Sequence, residues 1–206
     1  MKKLNIFAIP WLLLGASAMT HAESLMRTFS YCDASFFKKI NEYPVLEDIS
    51  KTLKHTNIND SPSLSVDLHF SPTGIVTFNR FFVSHSDFDK YDNFTYMGMR
   101  GQYYFWGFET TQSLDEVIRY TSSKISILKI GNSYIYAPMI RHSLDEKWVF
   151  NEYAAQNYRL KPYAAEKMMI IEKDEKRGVV RFLCTLQGNV TEDDLKFVGL
   201  DKPTQP

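Results

Sequence analysis

The chain carries two cysteines, Cys32 and Cys184, 152 positions apart. Whether they bond decides most of what the chain can fold into. A bond would tie a segment near the start of the domain to one near its end, so everything between must close back on itself. Disulfides persist where the compartment is oxidising. The question therefore turns on where the chain is sent.

The first residues answer it. Lys2 and Lys3 are the only charges before Glu23. An apolar run through Ile6, Phe7, Ile9 and Trp11–Leu14 follows, and small residues then take over at Gly15, Ala16, Ser17 and Ala18. A positive end, a short apolar core and small residues at a cleavage site are the order of a secretory signal peptide. Two cuts qualify, after Ala18 and after Ala22. Ala22 is preferred, because ordinary amphipathic sequence begins at Glu23. The apolar run is short against the about 20 residues of a membrane span, and Pro10 and Gly15 interrupt it. The expectation is a leader over 1–22, a domain over 23–200, a flexible tail over 201–206, and no stable membrane insertion once the leader is cut. The style of the leader points to a bacterial periplasm.

In that compartment an even pair of cysteines is most simply a disulfide. A loop of this length adds about 4–5 kcal/mol in the chain-entropy model. The alternative, a reactive or metal-bound thiol, lacks a second cysteine or nearby histidine to complete a metal set. No metal and no cofactor is expected.

Two of the 24 basic residues leave with the leader, so 22 remain against 24 acidic ones, a net charge of −2. That balance argues against nucleic acid, whose partners present a basic surface, and against an anionic membrane surface. Asn93-Phe94-Thr95 and Asn189-Val190-Thr191 match the glycosylation acceptor pattern, which carries no meaning in a bacterium.

Along the domain, Asp33 is placed to cap a helix whose Phe36, Phe37, Ile40 and Tyr43 recur at helical spacing. Pro44 interrupts it, and Val45, Leu46, Ile49 and Leu53 continue a second short helix. Leu64, Val66, Leu68 and Phe70 alternate with polar residues as in a half-buried strand. Residues 71–74 read as a turn, 75–83 as a strand, 84–92 as a polar loop, and 93–99 and 102–108 as two more strands. Ser113-Leu114-Asp115-Glu116 is a capping box that starts a helix reaching about Lys124. Strands are expected over 125–130 and 134–140, and Trp148-Val149-Phe150 leans towards a hairpin. Residues 154–165 leave helix and strand both open. Residues 168–172 and 179–186 form a hairpin, and Thr191 caps a last helix that stops at Gly199. The order predicts a single α+β domain, a mainly antiparallel sheet packed with a few short helices.

Two constellations stand out. In Tyr103-Tyr104-Phe105-Trp106-Gly107-Phe108, a strand puts Tyr104, Trp106 and Phe108 on one face. Such a face suits a protein, sugar or lipid partner, and it equally suits a central strand covered on both sides. In Ser84-His85-Ser86-Asp87-Phe88-Asp89, an imidazole stands beside two carboxylates, the groups needed for acid–base chemistry. A plain polar turn explains the same residues. No G-x-S-x-G elbow, H-E-x-x-H pair or phosphate-binding glycine loop is present. The sequence names no catalytic residue.

Four blocks together carry a resemblance: Cys32-Asp33-Ala34-Ser35-Phe36-Phe37, Ser84-His85-Ser86-Asp87, the aromatic block 103–108, and Cys184-Thr185-Leu186-Gln187-Gly188. With them the chain resembles a group of small exported proteobacterial proteins. The resemblance implies export and the disulfide, and it carries no activity.

The leading expectation is a non-catalytic periplasmic protein whose partner is another protein. An immunity-type protein that neutralises a secreted antibacterial effector is one concrete version. The alternatives are a binder of a small amphipathic ligand, such as a lipid or cell-wall fragment, and a cell-envelope hydrolase using His85, Asp87 or Asp89. The candidate binding residues are Tyr104, Trp106, Phe108, His85 and Asp87.

Overall fold

The computed structural model describes residues 24–56, 58, 63–72, 74–90, 100–154 and 160–201. The leader expected over 1–22, the strand expected over 93–99 and the tail beyond residue 201 lie outside them. Among the described residues no helix is long and apolar enough to cross a membrane.

The fold is a single α+β domain built on one antiparallel sheet. Its strands are β1 (Ser63–Phe70), β2 (Phe78–Asp87), β3 (Gln102–Thr110), β4 (Leu128–Ile130), β5 (Ser133–Arg141), β6 (Val149–Phe150), β7 (Ala165–Asp174) and β8 (Val179–Gly188). They lie in the order β1-β2-β3-β8-β7-β5-β4, with β6 also paired to β5. The helices are α1 (24–30), α2 (Ser35–Lys39), α3 (Glu47–His55), α4 (Leu114–Ser122) and α5 (Glu192–Val198).

Local chemistry explains most of these elements. The Asp33 carboxylate accepts from the Ser35 amide at 2.9 Å and from the Ser35 hydroxyl, a turn just ahead of α2. Pro44 opens a new 3-10 turn behind an extended Tyr43, as the restriction on the residue before proline requires. Of the three expected caps, the two at Ser113 and Thr191 form, while α2 has Ala34 as its N-cap with no side-chain cap bond. Ser113 and Glu116 exchange hydrogen bonds at the start of α4, and Thr191 and Asp194 do so at the start of α5. Gly199 ends α5 with φ 81°, a left-handed conformation that glycine adopts without a Cβ penalty. The hairpin of β7 and β8 pairs Ala165–Asp174 with Val179–Gly188 in unbroken register. The Asp174 carboxylate accepts from the amides of Lys176 and Arg177 in its turn.

Several boundaries differ from expectation. β2 starts at Phe78 and β4 at Leu128, each three residues late. β2 also does not stop at Val83. Ser84–Asp87 continue the ladder against Gln102–Phe105. Backbone pairing to a neighbouring strand needs no apolar side chain, so polar Ser84-His85-Ser86-Asp87 is strand where a loop was expected. In the open stretch 154–165, β7 begins at Ala165.

Among the described residues, the five helices turn their buried residues to one face of the sheet. Phe29 of α1 meets Phe108 and Phe182, Phe36 of α2 meets Phe81 and Phe108, and Phe37 meets Trp106. The expected disulfide between Cys32 and Cys184 is present, with a Cα–Cα distance of 5.5 Å, and it joins the end of α1 to β8 inside this layer. Cys32 holds φ 51°, a left-handed conformation uncommon for a residue with a side chain. The buried Lys167 of β7 supports that turn: its Nζ donates to the Tyr31 carbonyl at 2.7 Å and faces the Cys32 carbonyl at 3.5 Å.

Candidate functional site

The helix-covered face takes the residues that the sequence marks most strongly. Tyr104, Trp106 and Phe108 are at most 1% exposed. Phe108 packs on Phe29, Phe36, Phe70, Phe78 and Phe81. The expectation of an aromatic contact surface at these three residues is therefore corrected. A ring sealed under helices presents nothing to a partner, and their bulk fills the space between sheet and helices instead.

His85 and Asp87 share the face of Tyr104, at the end of β2. The imidazole stacks on the Tyr104 ring at 4.3 Å. Its Nε2 is buried with no hydrogen-bond partner among the described residues. Burial pushes the imidazole below its ordinary value, a nearby Asp87 charge opposes this, and Lys90 reinforces it. The carboxylates are engaged elsewhere. Asp87 accepts from the Asp89 amide at 3.2 Å and pairs with Lys90 at 3.4 Å, while Asp89 accepts from the Gly101 amide at 2.9 Å. These bonds build the 3-10 turn Phe88–Lys90 and tie it to the start of β3. No hydrogen bond joins His85 to either carboxylate among the described residues, and Asp87 acts on the imidazole through its charge. Among the described residues no group of three or more His, Cys, Asp or Glu is placed to hold a metal ion.

The opposite face of the sheet is different in kind. Strand alternation sends Arg80, Phe82, Tyr103, Phe105, Gly107, Glu109, Arg181 and Leu183 there. One cross-strand row runs Asp67, Arg80, Glu109, Arg181, Glu172 from β1 through β2, β3 and β8 to β7. Its charges alternate in sign across five strands. Arg80 meets Asp67 at 2.8 Å, and Arg181 meets the buried Glu109 at 3.4 Å and Asp174 at 2.7 Å. Arg177, from the β7–β8 turn, reaches back to Glu109 with two bonds of 2.5 and 2.8 Å. Glu109 is thus held by a bidentate arginine, the stronger form of such a pair.

The next row is Phe82, Gly107, Leu183. A Cβ on Gly107 would lie 2.3 Å from the Phe182 carbonyl oxygen, so only glycine fits there. Without a side chain between them, Phe82 and Leu183 border a hollow, and the Arg181 guanidinium lies 5.7 Å over the Phe82 ring. Together with Phe105 and the serines Ser84 and Ser86 they line a groove of about 500 Å³ walled by the arginines. Tyr103 and Phe105 continue the apolar strip towards Phe88, whose ring meets Tyr103 edge-on at 4.8 Å. Farther along, Glu166 accepts from Asn151 at 2.5 Å and Gln187 at 2.8 Å, which pins the segment after β6 over this end of the face. Burial raises the Glu166 carboxyl above its usual range, against the pull of those two bonds.

This groove presents half-buried aromatics and arginines held in fixed positions. None of its serines bonds to a histidine or carboxylate among the described residues. Sequence reasoning missed Arg80, Phe82, Glu109, Arg177 and Arg181. The available signal was alternation: Arg80 and Phe82 must oppose Phe81 and Val83, and Glu109 must oppose Phe108. Compared with family models, with curated proteins and with solved structures, the chain gives no match.

Proposed function

We propose that the exported chain is a non-catalytic periplasmic binding protein whose partner is another protein, and that the groove face of the sheet is where the partner docks. The supporting observation is the strip of Phe82, Phe105 and Tyr103 beside Arg80, Arg177 and Arg181. Aromatics and arginine are the residue types enriched at protein interfaces, and they dominate binding energy there. Here the arginines are already anchored by Glu109, Asp174 and Asp67, so little side-chain freedom is lost on association. The disulfide makes the platform rigid in the same sense. Neutralisation of a secreted antibacterial effector is the concrete version of this reading, since an immunity-type protein needs a rigid surface and no catalytic group.

The test is capture of partners on the immobilised, oxidised chain, from periplasmic extract and from supernatants of competing bacteria. Phe105→Asp, which puts a charge into the groove, serves as the matched bait. A stoichiometric band retained by the wild type and lost with Phe105→Asp, at unchanged thermal stability, is the expected result. A bait that captures nothing under several growth conditions, or captures the same proteins in both forms, overturns the proposal.

A further inference from the structure

A second opening lies on the helical side of the sheet, between α1, α4 and β5. It is a cleft of about 710 Å³, within the roughly 300–1,000 Å³ usual for small-molecule sites. Met26, Ile125 and Phe182 contribute apolar surface, and Tyr31 and Tyr136 add rings with polar tips. Among the described residues the charged side chains that line it are Arg27 and Lys124, and no aspartate or glutamate does. Arg27 is exposed, and its Nε donates to the Tyr31 hydroxyl at 3.3 Å. Among the described residues Arg27 forms no ion pair, so its guanidinium fork is open to a ligand.

The walls are preformed. α1 is held at its end by the Cys32–Cys184 bond and by the Lys167 ammonium on the Tyr31 carbonyl. α4 is fixed by its capping box and by the buried Val117 and Tyr120. A site whose walls are already ordered gives up little entropy on binding.

We infer that this cleft binds a small anionic amphiphile, such as a medium-chain fatty acid or a fused-ring aromatic acid. The apolar body lies on Met26, Ile125 and Phe182, and the acid group meets Arg27, whose planar donors match a carboxylate or sulfonate. The proposal does not rest on the groove on the opposite face, and either can fail alone.

The probe is 1-anilinonaphthalene-8-sulfonate, titrated by fluorescence into the oxidised exported chain and displaced with dodecanoate. Arg27→Gln removes the anchor and Ser126→Trp fills the mouth; both positions are exposed, so circular dichroism and Tm stay as in the wild type. One saturable site per chain is expected, with dodecanoate competing for it. Arg27→Gln weakens both ligands by about five-fold, the upper end of what an exposed charge pair is worth. Ser126→Trp weakens them at least as much, and Phe105→Asp leaves them unchanged. Absence of a saturable site, or wild-type affinity in both cleft variants, overturns the site. Loss with Ser126→Trp alone overturns the anionic class of the ligand.

Discussion

Arg141 and Asp194 meet at 2.8 Å with their side chains 4% and 5% exposed, and this pair fastens β5 to the first turn of α5. The Asp194 carboxylate also accepts from the Thr191 amide and hydroxyl, each at 2.8 Å, so one group serves the ion pair and the helix cap together. Arg141 in turn donates to the Asn189 and Ser143 carbonyls, each at 2.8 Å. Removing one partner leaves the other charged, buried and uncompensated. Asp194→Ala is expected to destabilise the fold by about 3–5 kcal/mol, read as a lower midpoint in urea at unchanged slope. The paired change Arg141→Met with Asp194→Leu should cost clearly less than the two single changes added together.

The disulfide spans 152 positions, and closing so long a loop removes much of the freedom of the unfolded chain. Cys32→Ser with Cys184→Ser is expected to lower stability by about 5 kcal/mol in the chain-entropy model. Because the bond also carries the end of α1, fluorescence of bound anilinonaphthalene sulfonate should fall in the same variant. Equilibrium unfolding with and without reductant checks the first part.

Lys167 links stability to alkaline pH. Burial pushes its ammonium down to about 8 from 10.5, while the Asp33 charge pulls the other way. Between these values the unfolded chain holds the proton more often than the folded one, so stability rises with pH across the window. Below about 8 both states are protonated, and the cost of the buried charge is present in full and constant. The gain over the window is on the order of 3 kcal/mol. Lys167→Met, measured against the wild type by urea titration at a series of pH values, should remove that slope. The chain has no free cysteine, so alkaline thiol exchange does not confuse the reading.

Glu109 is the hub of the charge row. Its side chain is 5% exposed, while those of Arg177 and Arg80 are 42% and 38% exposed. Glu109→Gln keeps the shape but leaves three guanidinium groups facing a neutral amide, at an expected cost of about 1–3 kcal/mol. Arg177→Ala removes only a half-exposed partner and should cost about 0.5–1 kcal/mol. Melting curves at low and high salt separate the two, because salt screens the exposed arginine more than the buried carboxylate.

Much of the scaffold is legible because its signals are local. Ser113 with Glu116 and Thr191 with Asp194 complete their bonds within four residues, so composition at fixed offsets suffices to place both helix starts. The β7–β8 hairpin is legible for the same reason. The candidate site is not local. Ser84-His85-Ser86-Asp87 reads as loop in one dimension because its side chains are polar, yet it is strand because β3 offers it a ladder. The aromatic block at 103–108 draws the eye as a surface, yet its largest rings are the core. The groove instead uses Phe82, Phe105, Glu109 and Arg181, which look ordinary one at a time and form a site only as neighbours on adjacent strands.

The amino-acid sequence by itself determined the class of the fold, the antiparallel character of the sheet, the caps of α4 and α5 and the pairing of Cys32 with Cys184. Each follows from spacing, periodicity or a count of two. Tertiary structure alone decided which side of each strand is buried. Alternation divides Tyr104, Trp106 and Phe108 from Tyr103 and Phe105 but does not say which set the helices cover. That choice is made where Phe29 and Phe36 dock and Cys32 bonds to Cys184, and burial of apolar surface on that side leaves Phe82, Phe105 and the arginines on the other.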